Sequence, residues 1–227
     1  MKINGIDINT FGAKLVNKSL ESAETSLDME WPEKALLPYI GDKAVYKFKK
    51  LMLDIEFKGD FSITNFNKSK FLKEISSCVI TDIGLDPHAL KGGLVSHSLS
   101  ESNNLYHRVE YELNVIEEMP ETNVTGLTVL NPGTGLTPVK VEIIPSQNGT
   151  YTLYMNQGTE NEIKIILNNM VAGVTRSIGL ESGIFEGLIN KFSDTVMFEF
   201  PKLQAGNNTL SITPSATIKS TFRPRVI

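Results

Sequence analysis

Two runs of strict alternation limit what this chain of 227 residues can fold into more than any other feature does. In one, Leu51, Leu53, Ile55 and Phe57 alternate with Met52, Asp54, Glu56 and Lys58. In the other, Val109, Tyr111, Leu113 and Val115 alternate with Arg108, Glu110, Glu112 and Asn114. A period of two sends successive side chains to opposite faces of a strand, so each run has one apolar and one mostly charged face. Two long strands of this kind can close one side of a β-sandwich and leave a hydrophilic wall outside.

Turn chemistry divides the rest of the chain. Ile3, Asn4-Gly5, Ile6 and Ile8 read as a short hairpin, followed by Phe11-Gly12 and an apolar run through Leu15 and Val16. Residues 63–77 form the helix candidate of this half, with Phe71, Leu72 and Ile75 on one stripe and Lys68, Lys70, Lys73 and Glu74 around it. Asn67 or Ser69 could cap that helix. Gly92-Gly93 and residues 96–104 read as a long polar loop that is mobile or reaches a neighbour. Met119-Pro120-Glu121-Thr122 reads as a linker, because Pro120 ends the preceding strand. Beyond it, short strand signals recur at 124–130, 139–144, 151–155, 163–167, 196–200, 210–212 and 218–222, separated by turn residues at sandwich-like intervals. Asn131-Pro132-Gly133-Thr134 predicts a β-turn in which Gly133 takes a positive φ. In Phe200 to Thr209, Leu203 anchors a corner, Gly206 with Asn207 reverses the chain, and Leu210 and Ile212 return inward. The pattern therefore predicts a mainly β chain: residues 1–121 as a β-sandwich with one flanking α-helix, and residues 122–227 as an antiparallel β-sandwich.

Charge is distributed unevenly along the chain. Residues 1–121 hold 14 Lys/Arg against 19 Asp/Glu, and residues 122–227 hold 8 against 7. An acidic first half argues against a phosphate-binding surface. The one dense basic cluster, Lys47, Lys49 and Lys50, reads as a solvated strand edge. Cys78 is the only cysteine, so an internal disulfide is impossible, and beside Val79 and Ile80 it reads as a small buried hydrophobe. Met1 to Asp7 lacks an apolar core of the signal-peptide kind, and no apolar run is long enough to cross a bilayer, so a soluble protein with no membrane partner and no export signal is expected.

Catalytic and metal signatures are sparse. His88, His97 and His107 are the only histidines, and none stands in a zinc-binding spacing. Asp82, Asp86 and His88 could converge in a loop, but Asp86-Pro87 is also a turn starter. Gly133-Thr134-Gly135 lacks the third glycine and the following helix of a dinucleotide loop. Glu110 with Glu112, and Asp54 with Glu56, could each supply a carboxylate pair, yet Trp31 is the sole tryptophan and no sugar-stacking cleft accompanies them. Tyr151 and Tyr154 fall on opposite faces of one strand, so at least one belongs to the core. No enzyme activity, cofactor or metal site is expected.

Taken in order, Asn131 to Thr134, Phe200 to Asn208 and the closing Phe222-Arg223-Pro224-Arg225 resemble the C-terminal part of siphophage distal tail proteins, and the Asn4-Gly5 and Phe11-Gly12 opening also recurs in that family. This chain has Val226 where the family more often places a Trp. The resemblance implies a galectin-like fold for residues 122–227, used as scaffolding: that segment has no His or Trp with which to bind sugar as galectins do. It implies a ring-forming first domain and a virion hub at the tip of a long non-contractile phage tail, assembled in the host cytoplasm. The partners implied are other copies in a homohexameric ring, the tail tube protein, the tail-tip or baseplate hub protein, and a host-adhesion or receptor-binding protein. DNA would pass through the channel without specific binding, past a lining of Asp54, Glu56, Glu110 and Glu112. Glycan binding by a monomer would favour a stand-alone carbohydrate-binding module instead, and turnover of peptidoglycan a cell-wall hydrolase.

Overall fold

The two alternating runs pair with each other at the centre of one antiparallel sheet. The computed structural model describes residues 1–23, 25–30, 39–46, 48–85, 87–103 and 105–227. They fall into two compact units, Met1–Glu118 with Ile227, and Met119–Val226. Among the described residues the chain is mainly β with one α-helix.

In the first unit the elements run β1 (Lys2–Ile3), β2 (Ile6–Asp7), β3 (Ala13–Glu21), β4 (Thr25–Glu30), β5 (Tyr39–Tyr46), β6 (Lys49–Lys58), α1 (Phe61–Ile75), β7 (Ser77–Thr81), β8 (Ala89–Ser102) and β9 (Tyr106–Glu118). The main sheet has the order β2-β1-β7-β8-β9-β6-β3, and β4 pairs with β5 as a separate two-stranded sheet. β6 and β9 pair without a register shift, Leu51 opposite Leu113, Leu53 opposite Tyr111 and Ile55 opposite Val109. These six side chains are all buried, which is the alternation of the sequence realised as one core-facing layer. α1 covers that layer: Phe71 is fully buried and its ring centroid lies 5.8 Å from Phe11, 5.3 Å from Phe57 and 5.1 Å from Tyr111.

The helix begins earlier than expected. Asp60, outside the apolar stripe, is its cap, its carboxylate accepting the Ile63 amide at 2.9 Å. Asn67 and Ser69 lie inside the helix, and the Ser69 hydroxyl is spent on the Asn65 carbonyl.

The expected polar loop at Gly92-Gly93 and 96–104 is instead most of β8, which pairs along its length with β9; Asn104 lies outside the described residues. Backbone pairing to a strong neighbour carries this strand despite its weak side-chain signal. Gly92 reads as a breaker in isolation, yet a Cβ there would sit 2.1 Å from the Asn114 carbonyl oxygen, so the residue permits close backbone approach inside the sheet.

The second unit contains β10 (Thr122–Thr125), β11 (Thr128–Asn131), β12 (Thr137–Pro145), β13 (Gly149–Met155), β14 (Ile163–Met170), β15 (Arg176–Gly179), β16 (Gly183–Glu186), β17 (Ile189–Asn190), β18 (Thr195–Met197), β19 (Lys202–Leu203), β20 (Gly206–Thr213), β21 (Ala216–Phe222) and β22 (Arg225–Val226). One sheet has the order β10-β21-β12-β15-β16-β17, with β19 also on β12; the other has β11-β20-β13-β14-β18. Val139, Val141, Ile143 and Ile218 from the first and Tyr151, Leu153, Ile165 and Leu167 from the second share one buried cluster, the core of a β-sandwich.

The turn at Asn131 works differently from its sequence reading. Gly133 is not among the residues with positive φ. A Cβ there would meet the Arg225 oxygen at 2.4 Å, so glycine is needed for space. The buried Asn131 side chain holds the turn, accepting the Gly133 amide and donating to the Gln204 carbonyl. Asn208 does the same for the second block, its Oδ1 accepting the Gln204 amide at 2.9 Å and its Nδ2 donating to the Gly206 carbonyl at 3.0 Å.

Candidate assembly surface

Among the described residues, two stretches of the main sheet of the first unit have no strand on their outer side. β3 is the last strand on one side, with none beyond it among the described residues. On the other side β7 pairs with β8 between Leu90 and Gly93, so residues 95–102 have β9 on one flank and no strand on the other among the described residues. Both edge strands are bulged. Val16 is extra on β3, between Leu15 and Asn17, and β8 has extra residues at Val95 and Ser100. The inner pair β6–β9 has no such slip.

Between these edges the face away from the core carries the four carboxylates singled out in the sequence. Asp54 pairs with Glu110 in register and lies beside Arg108, while Glu112 stands opposite Met52. Arg108 Nε donates to both Asp54 oxygens, at 2.8 and 2.9 Å, and its Nη2 to Oδ2 at 2.5 Å. That fork raises the Arg108 pKa, its bond to Asp54 outweighing desolvation. Lys50 reaches Glu112 at 2.8 Å and holds its carboxyl below the usual range, with the Ser96 hydroxyl adding a bond. Lys58 lies 3.6 Å from Glu56. Glu110 is exposed and has no ion-pair partner among the described residues. The face is therefore a mesh of both signs with a residual negative charge at Glu110, less uniform than the sequence suggested.

The other sequence candidates disperse. Asp82 pairs with Lys2 at 2.7 Å, His88 Nδ1 lies 2.5 Å from Glu117 Oε1, and Asp86 lies outside the described residues. Lys49 donates to the other Glu117 oxygen at 2.6 Å and Lys50 to Glu112, so both described members of the basic cluster are paired with carboxylates; Lys47 and Trp31 lie outside the described residues. Burial pushes the Glu117 carboxyl up, and the bonds from His88 and Lys49 outweigh it, leaving it below the ordinary value. Cys78 is buried and its thiol is pushed up to about 11. No group of three potential metal ligands occurs among the described residues. Tyr151 is core, its hydroxyl donating to the Gln147 carbonyl, while Tyr154 lies near the Lys164 ammonium at the surface.

Sequence reasoning missed two features. A groove of about 430 Å³ lies between α1 and the β8–β9 strands; Lys68, read as a solvated flank, stands in it and donates to buried His107 Nδ1 at 2.9 Å. In the second unit, Leu188, Ile189, Phe192, Val196 and Phe198 are all exposed, on, between or next to the end strands β17 and β18. Clustering of five large apolar residues in 188–198 was the available signal for the latter.

No family model matches the chain, and no curated protein matches it. Solved structures do. The chain is similar in fold to the Dit protein of phage SPP1, described as a paradigm of the hub adsorption apparatus of phages infecting Gram-positive bacteria, with a TM-score of 0.68, 12% identity and 97% of each chain covered. It is also similar to a chain of the phage P2 baseplate in its activated conformation with calcium, with a TM-score of 0.51, 9% identity, and 95% of this chain and 92% of that one covered. The fold of phage hub and baseplate proteins thus spans almost the whole chain.

Proposed function

We propose that the chain is a distal tail hub of a siphophage, whose first unit closes a homohexameric ring and whose second unit, galectin-like, offers docking surface to a host-adhesion protein. One observation carries the ring reading: past the β7 pairing at Leu90 to Gly93, β8, β9, β6 and β3 form a four-stranded antiparallel segment, and among the described residues no strand pairs with residues 95–102 of β8 or with the outer side of β3. An even number of strands per copy lets the β3 edge of one copy meet the β8 edge of the next with antiparallel order kept all round, a head-to-tail contact that closes into a ring. The ion-paired face then lines the lumen, and the net negative charge at Glu110 repels DNA phosphates within roughly a Debye length of 8 Å. The ring joins the tail tube to the tail-tip hub and acts by assembly, without turnover. The exposed apolar rim of the second unit supports its docking role.

Negative-stain imaging of the purified protein, alone and with tail partners, tests the ring; a subunit that stays monomeric in the assembled tail would sink it. The edge pairing has its own test. Cysteines placed at Asn17 or Ser19 on one edge and Ser96 or Ser98 on the other should give a disulfide ladder ending at the hexamer, and failure of all four pairs refutes the edge contact. Each contact should bury at least about 1,000 Å². Glu110→Lys, which breaks no ion pair, should slow DNA ejection and leave rings intact.

A further inference from the structure

The groove between α1 and the β8–β9 strands lies on the helix side of the sheet, with His97 and Leu99 from the same stretch of β8 whose backbone edge the proposed ring pairs, and its chemistry is specific. Val109 and Tyr111 line it from β9, Leu72 and Leu99 are its other apolar residues, and Asn65, Lys68, Ser69 and His97 are its polar ones. Its volume of about 430 Å³ is that of a site for one or two side chains or a small ligand. The His97 ring stacks on Tyr111 at 5.9 Å and 20°, which fixes one rim.

The cation in this groove is uncompensated. Lys68 donates to His107 Nδ1, and no carboxylate pairs with it among the described residues. As the acceptor of that bond, Nδ1 carries no proton, and burial followed by the Lys68 charge holds the His107 pKa down. Burial lowers the Lys68 pKa as well. An ammonium among apolar residues with only a neutral partner gains most from a carboxylate brought from outside. Its helix agrees in sign, with Lys68, Lys70 and Lys73 against Glu74 alone, in an otherwise acidic half of the chain.

We propose that this groove receives an acidic side chain flanked by aliphatic residues, carried by a segment of a partner protein other than this chain. The carboxylate pairs with Lys68 and the flanking aliphatic groups rest on Leu72, Leu99 and Val109. The proposal rests on the assembly reading for the source of that partner, since the two strand edges account for contacts between copies and leave the groove to another polypeptide.

The test uses the full chain and two blocked peptides, Ac-Ser-Leu-Glu-Leu-Ser-NH2 and its glutamine counterpart, titrated while backbone amide shifts are followed by NMR. The glutamate peptide should give saturable shifts confined to residues 65–72, 97–99 and 109–111, and bind about fivefold more tightly than the glutamine one, the ratio expected of a partly shielded ion pair. Lys68→Met should erase that preference, whereas Leu99→Ser, at an exposed position, should weaken both peptides alike. Absent saturation, equal affinity for the two peptides, or shifts mapping elsewhere overturns the proposal. Peptide that disperses preformed rings also overturns it, because the groove would then belong to a second copy. Rings that form while neither peptide binds defeat this inference and leave the assembly reading standing; peptide binding without rings does the reverse.

Discussion

The two units solve the edge and polarity problems of β-proteins in opposite ways. The first ties charges across one outer face of a long sheet, as Arg108–Asp54, Lys50–Glu112 and Lys58–Glu56, and among the described residues leaves residues 95–102 of β8 and the outer side of β3 without a pairing strand. The second buries polar side chains at and near its strand ends, with Asn131, Thr137, Asn208 and Arg176 all nearly inaccessible and bonded to backbone, to one another or, for Arg176, also to Glu186. A surface mesh adds little stability per pair but can face a channel or a neighbour. Buried amides contribute rigidity to each corner and cost much when removed. In the proposed ring the first unit makes the contacts with other copies, and the second keeps a hydrophobic core of its own.

Substitutions sharpen that contrast. The largest effect is expected in the aromatic cluster of the first unit, where Phe71→Ala should cost about 4 kcal/mol, because its fully buried ring touches Phe11, Phe57 and Tyr111. Urea unfolding by circular dichroism measures it, and a loss below about 1 kcal/mol would mean that α1 is not what closes this core. Next comes Arg176→Met in the second unit, expected to cost about 3 kcal/mol, since Arg176 is fully buried and donates to the Asn168 and Asn169 carbonyls and to Glu186. Hydrogen exchange should then rise in β14 to β18 and stay unchanged in the first unit; a rise in both breaks the view of the second unit as self-contained.

Acid should separate the units by a smaller margin. His107 has a folded pKa below its ordinary 6.5, from burial and then from Lys68. The unfolded chain thus binds the proton more readily, and stability falls as pH drops from that value through the folded pKa. Glu117, held below the ordinary 4.5, adds a second loss at lower pH as its carboxyl is forced to protonate. His107→Gln should flatten the upper part of this profile in the first unit only. An unchanged slope in that variant rules His107 out as its source. The smallest effect is at the helix start, where Asp60→Ala should cost about 1 kcal/mol and leave the second unit untouched.

Much of the fold was legible because side-chain period and burial coincide. Leu51 to Phe57 and Val109 to Val115 gave both strands and their inward faces, and Asn4-Gly5 gave the first hairpin, β1 paired with β2. β8 was not legible, because Ser96, His97, Ser98 and Ser100 have polar or small side chains, exposed at this edge, while its pairing is made by the backbone. β15 to β17 escaped for a related reason: Arg176 and Ser177 look like surface until Glu186 is folded across them. The carboxylates of the outer face could be read, but their counterions could not, since Arg108 to Asp54 and Lys50 to Glu112 join residues far apart in sequence.

The slipped residues on β3 and β8 bear on the lifetime of the lone subunit. A straight, unbulged edge accepts any exposed strand that drifts against it, which is how indiscriminate aggregation starts. An edge stepped at Val95 and Ser100, or at Val16, offers a ladder interrupted at fixed places, so a chance strand runs out of partners after a few residues. In the ring proposed above, the bulges would work like the wards of a lock, letting a newly made subunit wait among foreign strands until a surface cut to the same steps arrives.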